Sequence, residues 1–168
     1  EGMNSSYPVC APARSAIITG MYPNSIGTGN MRALKGDTKE RSAKEASLGV
    51  PYYSSKLAEN IKPFTQILRE KGYYCTNNAK RDYNFNLRDE AWDESSNKAS
   101  WEKRKDDQPF FSVFNFNVTH ESAMWQRDKE QLRVDPKILK VPPLFPNDSI
   151  SKHSLAVNYS NLVEMDRQ

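Results

Sequence analysis

Apolar and polar positions divide the chain into a few regular elements separated by long polar stretches. The apolar run after Pro12 predicts a short helix over residues 12–20, because Pro12 suits a first turn and Gly20 suits the position just past a helix end. Residues 21–60 have few apolar positions and follow no period, which predicts a long loop.

The next segment predicts a helix followed closely by a strand. Phe64, Ile67 and Leu68 recur at helical spacing within residues 62–71, so these residues form one apolar helix face. Gly72 suits the end of that helix, and the aromatic run over residues 73–77 is typical of a strand. This helix–glycine–strand order indicates an α/β fold.

The strongest predicted strand covers residues 110–116. It is apolar on both faces apart from two polar positions, which favours a central strand covered on both sides. The charged segment before it, residues 86–108, is predicted to be an irregular surface excursion held in place by Trp92 and Trp101. Cys75 lies in the preceding strand and is predicted to belong to the core.

The C-terminal part is predicted to contain an extended proline-rich loop and then a helix. Residues 134–148 carry four prolines, which excludes a regular helix there. A helix is expected from Ser151, and four larger residues share its apolar face: Leu155, Tyr159, Leu162 and Val163.

Composition limits the class of protein. The 168 residues suit one domain, residues 1–168, but only 37% are hydrophobic and the mean hydropathy is −0.81. The net charge of +3 is small and mixed in sign, which argues against a dedicated nucleic-acid binder. No apolar run approaches the ~20 residues of a membrane span, and no signal peptide is visible. Both ends are expected to have been cut from a longer chain.

Three chemically active side chains are candidates for one site. Cys10 is predicted at a helix N-terminus, and Lys80 and His120 follow the two predicted strands. Ligands of α/β sheets bind beyond the carboxyl ends of strands, so this placement favours a shared site. Taken alone, Cys10 could equally be a buried small residue, Lys80 a solvated cation and His120 a capping residue.

The sequence around Cys10 resembles the signature of the type I sulfatases, which belong to the alkaline-phosphatase-like superfamily. The matching residues are Cys10-x-Pro12-x-Arg14, followed by Thr-Gly. "LREKGYY" resembles the family's segment ahead of its active-site lysine, at Lys80. "FFSVFNFNVTH" resembles the strand that ends in its sulfate-contacting histidine, at His120. "CTNNAKRDYNF" is similar to a bacterial branch often described as heparan N-sulfatase-like.

This resemblance implies a fold, an activity and a cellular compartment. The fold would be a partial alkaline-phosphatase-like sandwich, a mixed sheet flanked by helices, as an internal fragment of a larger catalytic domain that is inactive alone. The activity would be hydrolysis of a sulfate ester or sulfamate on a sulfated saccharide such as a glycosaminoglycan. A sulfatase-maturing enzyme would be a partner. The compartment would be periplasmic, secreted or lysosomal-type.

The resemblance also implies roles for individual residues. The maturing enzyme would oxidise Cys10 to formylglycine, and the hydrate of formylglycine would be the nucleophile. The same group would also bind Ca²⁺ or another divalent ion, whose remaining ligands would lie outside this chain. Arg14 would hold this group or a metal ligand, Lys80 would bind sulfate, and protonated His120 would act as general acid on the leaving atom.

Two positions leave alternatives open. Asp82 stands where many members of the family have a second histidine, so it is either a substitute substrate contact or a turn residue. Arg32 is either a contact to an anionic sugar or a solvated loop residue. Asp82 also favours an alternative function, a non-catalytic pseudo-sulfatase that binds sulfated glycans. A phosphatase or phosphodiesterase of the same superfamily would want Ser or Thr at position 10, so Cys10 argues against it.

Overall fold

A computed structural model describes residues 4–32, 47–49, 55–87 and 89–168. The chain divides into two compact units, Glu1–Val113 and Phe114–Gln168. Helices and a small sheet occur together, so the predicted α/β class is confirmed. Much of the predicted long loop, residues 33–46 and 50–54, lies outside the described residues.

Helix α1, Cys10–Thr19, opens the first unit. The predicted helix over residues 12–20 is confirmed, but it begins two residues earlier, so Cys10 is its first helical residue. Gly20 ends it in the left-handed conformation, with φ 68°. A short 3₁₀ helix, Pro23–Ile26, follows. The buried side of α1 contains Ser15 and Ile18.

The predicted helix–glycine–strand unit is present, with boundaries shifted by one or two residues. Helix α2 is Phe64–Glu70 and strand β1 is Tyr74–Asn78. Gly72 lies between them at φ 90°, a backbone conformation that glycine adopts without a steric penalty. Cys75 in β1 is fully buried, as predicted.

The described sheet has three strands in the order β2–β1–β3. Strand β2, Glu94–Ser96, runs parallel to β1 with Thr76 opposite Glu94. Sequence patterns miss β2, because its three residues carry no apolar signal and pairing with β1 alone makes them a strand. The surrounding segment is therefore not wholly irregular.

Strand β3, Phe110–Phe114, shows that the prediction of a central, covered strand at residues 110–116 is wrong. Among the described strands β3 is at the edge, and Phe110 and Phe114 are 44% and 41% exposed. Phe111 and Val113 on the opposite face pack against the core. A pattern that is apolar on both faces indicates which faces can be buried, but backbone pairing decides a strand's place in the sheet.

The core of the first unit joins α1 to the sheet and to the chain after β1. Its buried members are Ile18, Cys75, Tyr83, Phe85, Ala91 and Trp92. Trp92 therefore anchors its segment as predicted. Trp101 is 39% exposed and stacks on Phe110, with 5.8 Å between ring centroids.

In the second unit, the turn Glu121–Ala123 leads into the short helix α3, Met124–Arg127. The turn Pro136–Ile138 lies in the predicted proline-rich loop. Helix α4, Ser149–Met165, begins two residues before the predicted start, where the Asp148 carboxylate accepts the Ser151 N–H.

The predicted apolar face of α4 is wrong in part. Tyr159 and Leu162 are 38% and 42% exposed, whereas Ser160 and Asn161 are buried. The Ser160 hydroxyl accepts two backbone N–H bonds, and Asn161 accepts a bond from Arg127. Polar residues that make hydrogen bonds therefore occupy part of the buried face of α4, where periodicity predicts apolar residues. No helix in the described ranges is both long enough and apolar enough to cross a bilayer.

Candidate functional site

Cys10 is exposed on the first turn of α1. No side chain caps this helix start at Val9. The backbone N–H groups of Cys10 and Ala11 have no acceptor four residues earlier in the helix, and Pro12 has no N–H. An exposed thiol therefore lies beside free backbone donors at the positive end of a helix.

Arg14 lies one turn after Cys10 and joins α1 to the chain that follows β1. Its Nη2 donates to the Lys80 carbonyl at 2.8 Å and its Nε to the Asp82 carbonyl at 2.9 Å. The guanidinium lies over the Tyr83 ring, 4.6 Å from its centroid. These two donors point to residues 80–82, whereas the resemblance implies that Arg14 holds the group at position 10 or a metal ligand. Since residues four apart share a helix face, this contact brings the segment with Lys80 to the side of α1 that carries Cys10.

The Tyr83 ring that packs against the guanidinium of Arg14 is itself held in place. Its hydroxyl donates to Asn77 Oδ1 at 3.1 Å, and burial raises the pKa of the phenol, an effect that the neighbouring Arg14 partly offsets. A cavity of about 160 Å³ lies against both side chains and is otherwise apolar, with Trp92 and Phe111 in its wall. Tyr83 is thus a neutral, packed surface under the cation.

Lys80 is half-buried, two residues beyond β1. Ala79 precedes it at φ 63°, a left-handed conformation that costs an alanine roughly 1 kcal/mol. This turn orients the Lys80 carbonyl toward Arg14. The Lys80 ammonium makes no hydrogen bond or ion pair with the residues that the structure describes, so its charge is available to an anion.

Asp82 and Arg32 bind each other. The guanidinium of Arg32 forms a two-bond pair with the Asp82 carboxylate, at 2.6 and 3.0 Å, and both side chains are about a quarter exposed. Arg32 is therefore not a merely solvated loop residue, and Asp82 is more than a turn residue. Such a planar pair fixes geometry as well as neutralising charge.

Asn84 is a structural residue of the site that sequence analysis missed. It is 1% exposed, and its amide donates to the carbonyls of Thr28 at 2.7 Å and Asn30 at 2.8 Å. Its Oδ1 accepts the Arg32 N–H at 2.9 Å. Its φ of 63° is one that asparagine tolerates better than most residues, which is the signal that sequence offers. Asn84 thus ties residues 28–32 to the segment after β1.

His120 belongs to the second unit and is half-buried there. Its Nδ1 accepts the Ser122 N–H at 3.3 Å and lies 2.8 Å from the Ser122 hydroxyl. His120 therefore caps the turn that follows it. Because Nδ1 is an acceptor, the proton of the neutral ring lies on Nε2, which can donate to a ligand.

The described residues do not fit a calcium site on their own. Across these ranges, no three His, Cys, Asp or Glu side chains form a group that could hold a metal ion. Calcium prefers several oxygen ligands, and the nearby carboxylate of Asp82 is already paired with Arg32.

Comparison with known proteins gives one informative match. The chain is 38% identical over 200 aligned positions to an "Ulvan-active sulfatase" of Formosa agariphila, and the alignment covers 98% of this chain and 32% of that protein. The chain thus spans about a third of the length of the relative it matches. No protein-family model matches the chain. No solved structure matches it either.

Proposed function

We propose that the chain forms part of a formylglycine-dependent sulfatase that hydrolyses sulfate esters of a sulfated polysaccharide. One observation carries the proposal: the Cys10-x-Pro12-x-Arg14 sequence starts a helix whose first residue, Cys10, is exposed, and its arginine binds the segment that bears Lys80. The similarity to a sulfatase that acts on ulvan supports the same class of substrate, such as ulvan or a glycosaminoglycan. The non-catalytic alternative, for which Asp82 is the sequence feature, is not favoured by this similarity.

Cys10 is the residue on which the reaction depends. As formylglycine, its hydrated side chain would supply a nucleophilic hydroxyl for the sulfur atom. The exposure of Cys10 suits it as a target for a maturing enzyme, and the free N–H groups of the first turn suit an anionic substrate. Overall, a sulfate ester and water give an alcohol and a sulfate ion, with one proton released.

The resemblance gives Lys80 and His120 separate roles in the reaction. The free ammonium of Lys80 binds a sulfate oxygen and offsets the charge that develops there. Once protonated, the His120 ring gives its Nε2 proton to the leaving oxygen, which needs a proton as the S–O bond breaks, and the ring is left as neutral imidazole. Arg14 is a positioning residue, because its contacts hold the Lys80 segment.

The resemblance adds three proposals that rest on it alone. A divalent cation, calcium, would take its ligands besides residue 10 from outside the described residues. The enzyme would be periplasmic or secreted. A maturing enzyme would modify Cys10 before the protein acts.

Mass spectrometry tests the proposal directly. The protein is produced together with a sulfatase-maturing enzyme and digested with trypsin, which gives one peptide that contains Cys10 and ends at Arg14, and one with Cys75, residues 72–80. We expect the first peptide to lose mass as the thiol becomes an aldehyde. The second should remain unchanged, which makes it an internal control. An intact thiol in both peptides would contradict the proposed mechanism.

A further inference from the structure

The second unit contains an open cavity of about 570 Å³ beside His120. Glu121, Ser122 and Trp125 line it from the turn and helix that follow His120, and Ser154 and Val157 line it from α4. The Trp125 indole is 75% exposed. The volume is in the range of about 300–1,000 Å³ that small-molecule sites occupy.

We propose that this cavity binds an uncharged pyranose ring of the polysaccharide, with Trp125 as the surface on which the ring stacks. The inference rests on the proposed function, which makes a saccharide the substrate, and adds the subsite that holds the neighbouring sugar. A pyranose presents a face of C–H groups with partial positive charge, and an aromatic face is negative. An indole exposed at a cavity wall therefore offers the sugar a flat, complementary surface.

The polar groups of the cavity suit sugar hydroxyls. The Glu121 carboxylate and the Ser154 hydroxyl have no hydrogen-bond partner in the part of the chain that the structure describes. Asp128, also in the wall, is paired with His153 at 2.6 Å. Carboxylates accept hydrogen bonds from hydroxyl groups but repel sulfate and uronate groups. The acidic wall thus favours an uncharged ring.

The place of the cavity also suits the leaving group. Ser122 lines the cavity and is hydrogen-bonded to His120 Nδ1. If His120 Nε2 donates to the leaving oxygen, the sulfated sugar that carries this oxygen lies close to this wall. The neighbouring sugar of the chain would then reach the cavity and stack on Trp125.

Calorimetry on the complete protein tests the subsite. The probes are a desulfated, carboxyl-reduced ulvan oligosaccharide and the native sulfated oligosaccharide of equal length, both measured in a Cys10→Ala background that prevents turnover. Trp125→Ala should weaken binding of the uncharged probe by about tenfold. Trp125→Phe should retain most of the affinity. Phe145→Ala removes another exposed ring of this unit, outside the residues that line the cavity, and should have no effect.

Further outcomes separate this inference from the proposed function. With Cys10 intact, hydrolysis of a small aryl sulfate reports on the sulfatase reaction alone, because this substrate has no neighbouring sugar, and Trp125→Ala should raise KM for the polysaccharide about tenfold more than KM for the aryl sulfate. Binding of the uncharged probe without aryl sulfate hydrolysis would support the subsite and contradict the proposed function. Glu121→Gln should reduce the preference for the uncharged probe. Equal affinity of Trp125→Ala and the parent protein for that probe would overturn the inference.

Discussion

The two cysteines occupy opposite surroundings. Cys10 is exposed at the first turn of a helix, whereas Cys75 is fully buried in the central described strand. The Cys75 thiol donates to the Thr65 carbonyl at 3.6 Å. Burial and the nearby Asp93 carboxylate raise the pKa of Cys75 to about 11, although Arg69 lowers it in part. Cys75 is therefore a neutral packing group at physiological pH.

The two cysteines differ in solvent exposure and in their backbone surroundings. These two properties, and not the residue type, distinguish a candidate precursor of the nucleophile from a core residue. Cys10 has free backbone N–H groups beside it, and its helix connects through Arg14 to Lys80. Cys75 is enclosed by apolar neighbours and carries its own hydrogen bond. A buried thiol is inert toward modification, while an exposed one can meet an enzyme.

Substitution of the exposed cysteine should have the largest effect on catalytic activity. Cys10→Ala in the complete, matured protein should lower kcat/KM for sulfate release by at least about a thousandfold, because it removes the precursor of the nucleophile. Cys75→Ala is the matched control and should keep most of the turnover per folded molecule. Turnover of Cys10→Ala above a tenth of the wild-type rate would show that the two cysteines do not differ in this way.

Arg14→Lys tests the connection that makes the surroundings of Cys10 distinctive. Lysine keeps the charge but cannot hold both carbonyls with a planar fork, so kcat should fall by about ten- to a hundredfold. Because Arg14 also belongs to the maturation signature, the rate is divided by the modified fraction from mass spectrometry. An unchanged rate per modified molecule would mean that the contact to residues 80–82 does not position Lys80.

Substitution of the buried cysteine should have the larger effect on the free energy of unfolding. Cys75→Ala should reduce the free energy of unfolding by about 1–2 kcal/mol, since it leaves a small cavity in the core. Cys10→Ala should change it by less than about 0.5 kcal/mol, because the side chain is exposed. Urea denaturation followed by circular dichroism measures both. Equal losses would contradict the assignment of the two sites.

The last expected effect is a pH dependence of the difference in stability between wild type and Cys75→Ala. Below pH 9, the ordinary pKa of a solvent-exposed thiol, folded and unfolded chains both keep the proton, so Cys75 adds no slope. Between pH 9 and about 11 the unfolded chain releases the proton first, so stability falls as pH rises. The difference between wild type and Cys75→Ala should therefore shrink, on the order of 1 kcal/mol per pH unit. A constant difference across this window would refute the raised pKa.

Local sequence predicted the parts of the molecule that local rules determine. Gly20 and Gly72 marked helix ends, and the apolar spacing around Phe64 marked α2, because capping and periodicity act over a few residues. Strand β2 escaped notice because three polar residues become a strand only by pairing with β1. The edge position of β3 and the buried face of α4 likewise depend on distant partners.

The same limit applies to the candidate site. The motif identified Cys10 and Arg14, but nothing in it indicates that Arg14 binds two backbone carbonyls 66 and 68 residues away. The pairing of Arg32 with Asp82 joins residues 50 apart and could not be deduced from either position. Whether these residues and His120 form one sulfatase site stays a prediction.

The contacts of Arg14 also bear on how this region can evolve. Its two hydrogen bonds end on main-chain oxygens of residues 80 and 82, and every amino acid supplies such an oxygen. Substitutions in this loop therefore leave the anchor intact, provided that the backbone path is kept. A change of side chain at position 82 would therefore remove the ion pair with Arg32 but leave the two bonds from Arg14 in place.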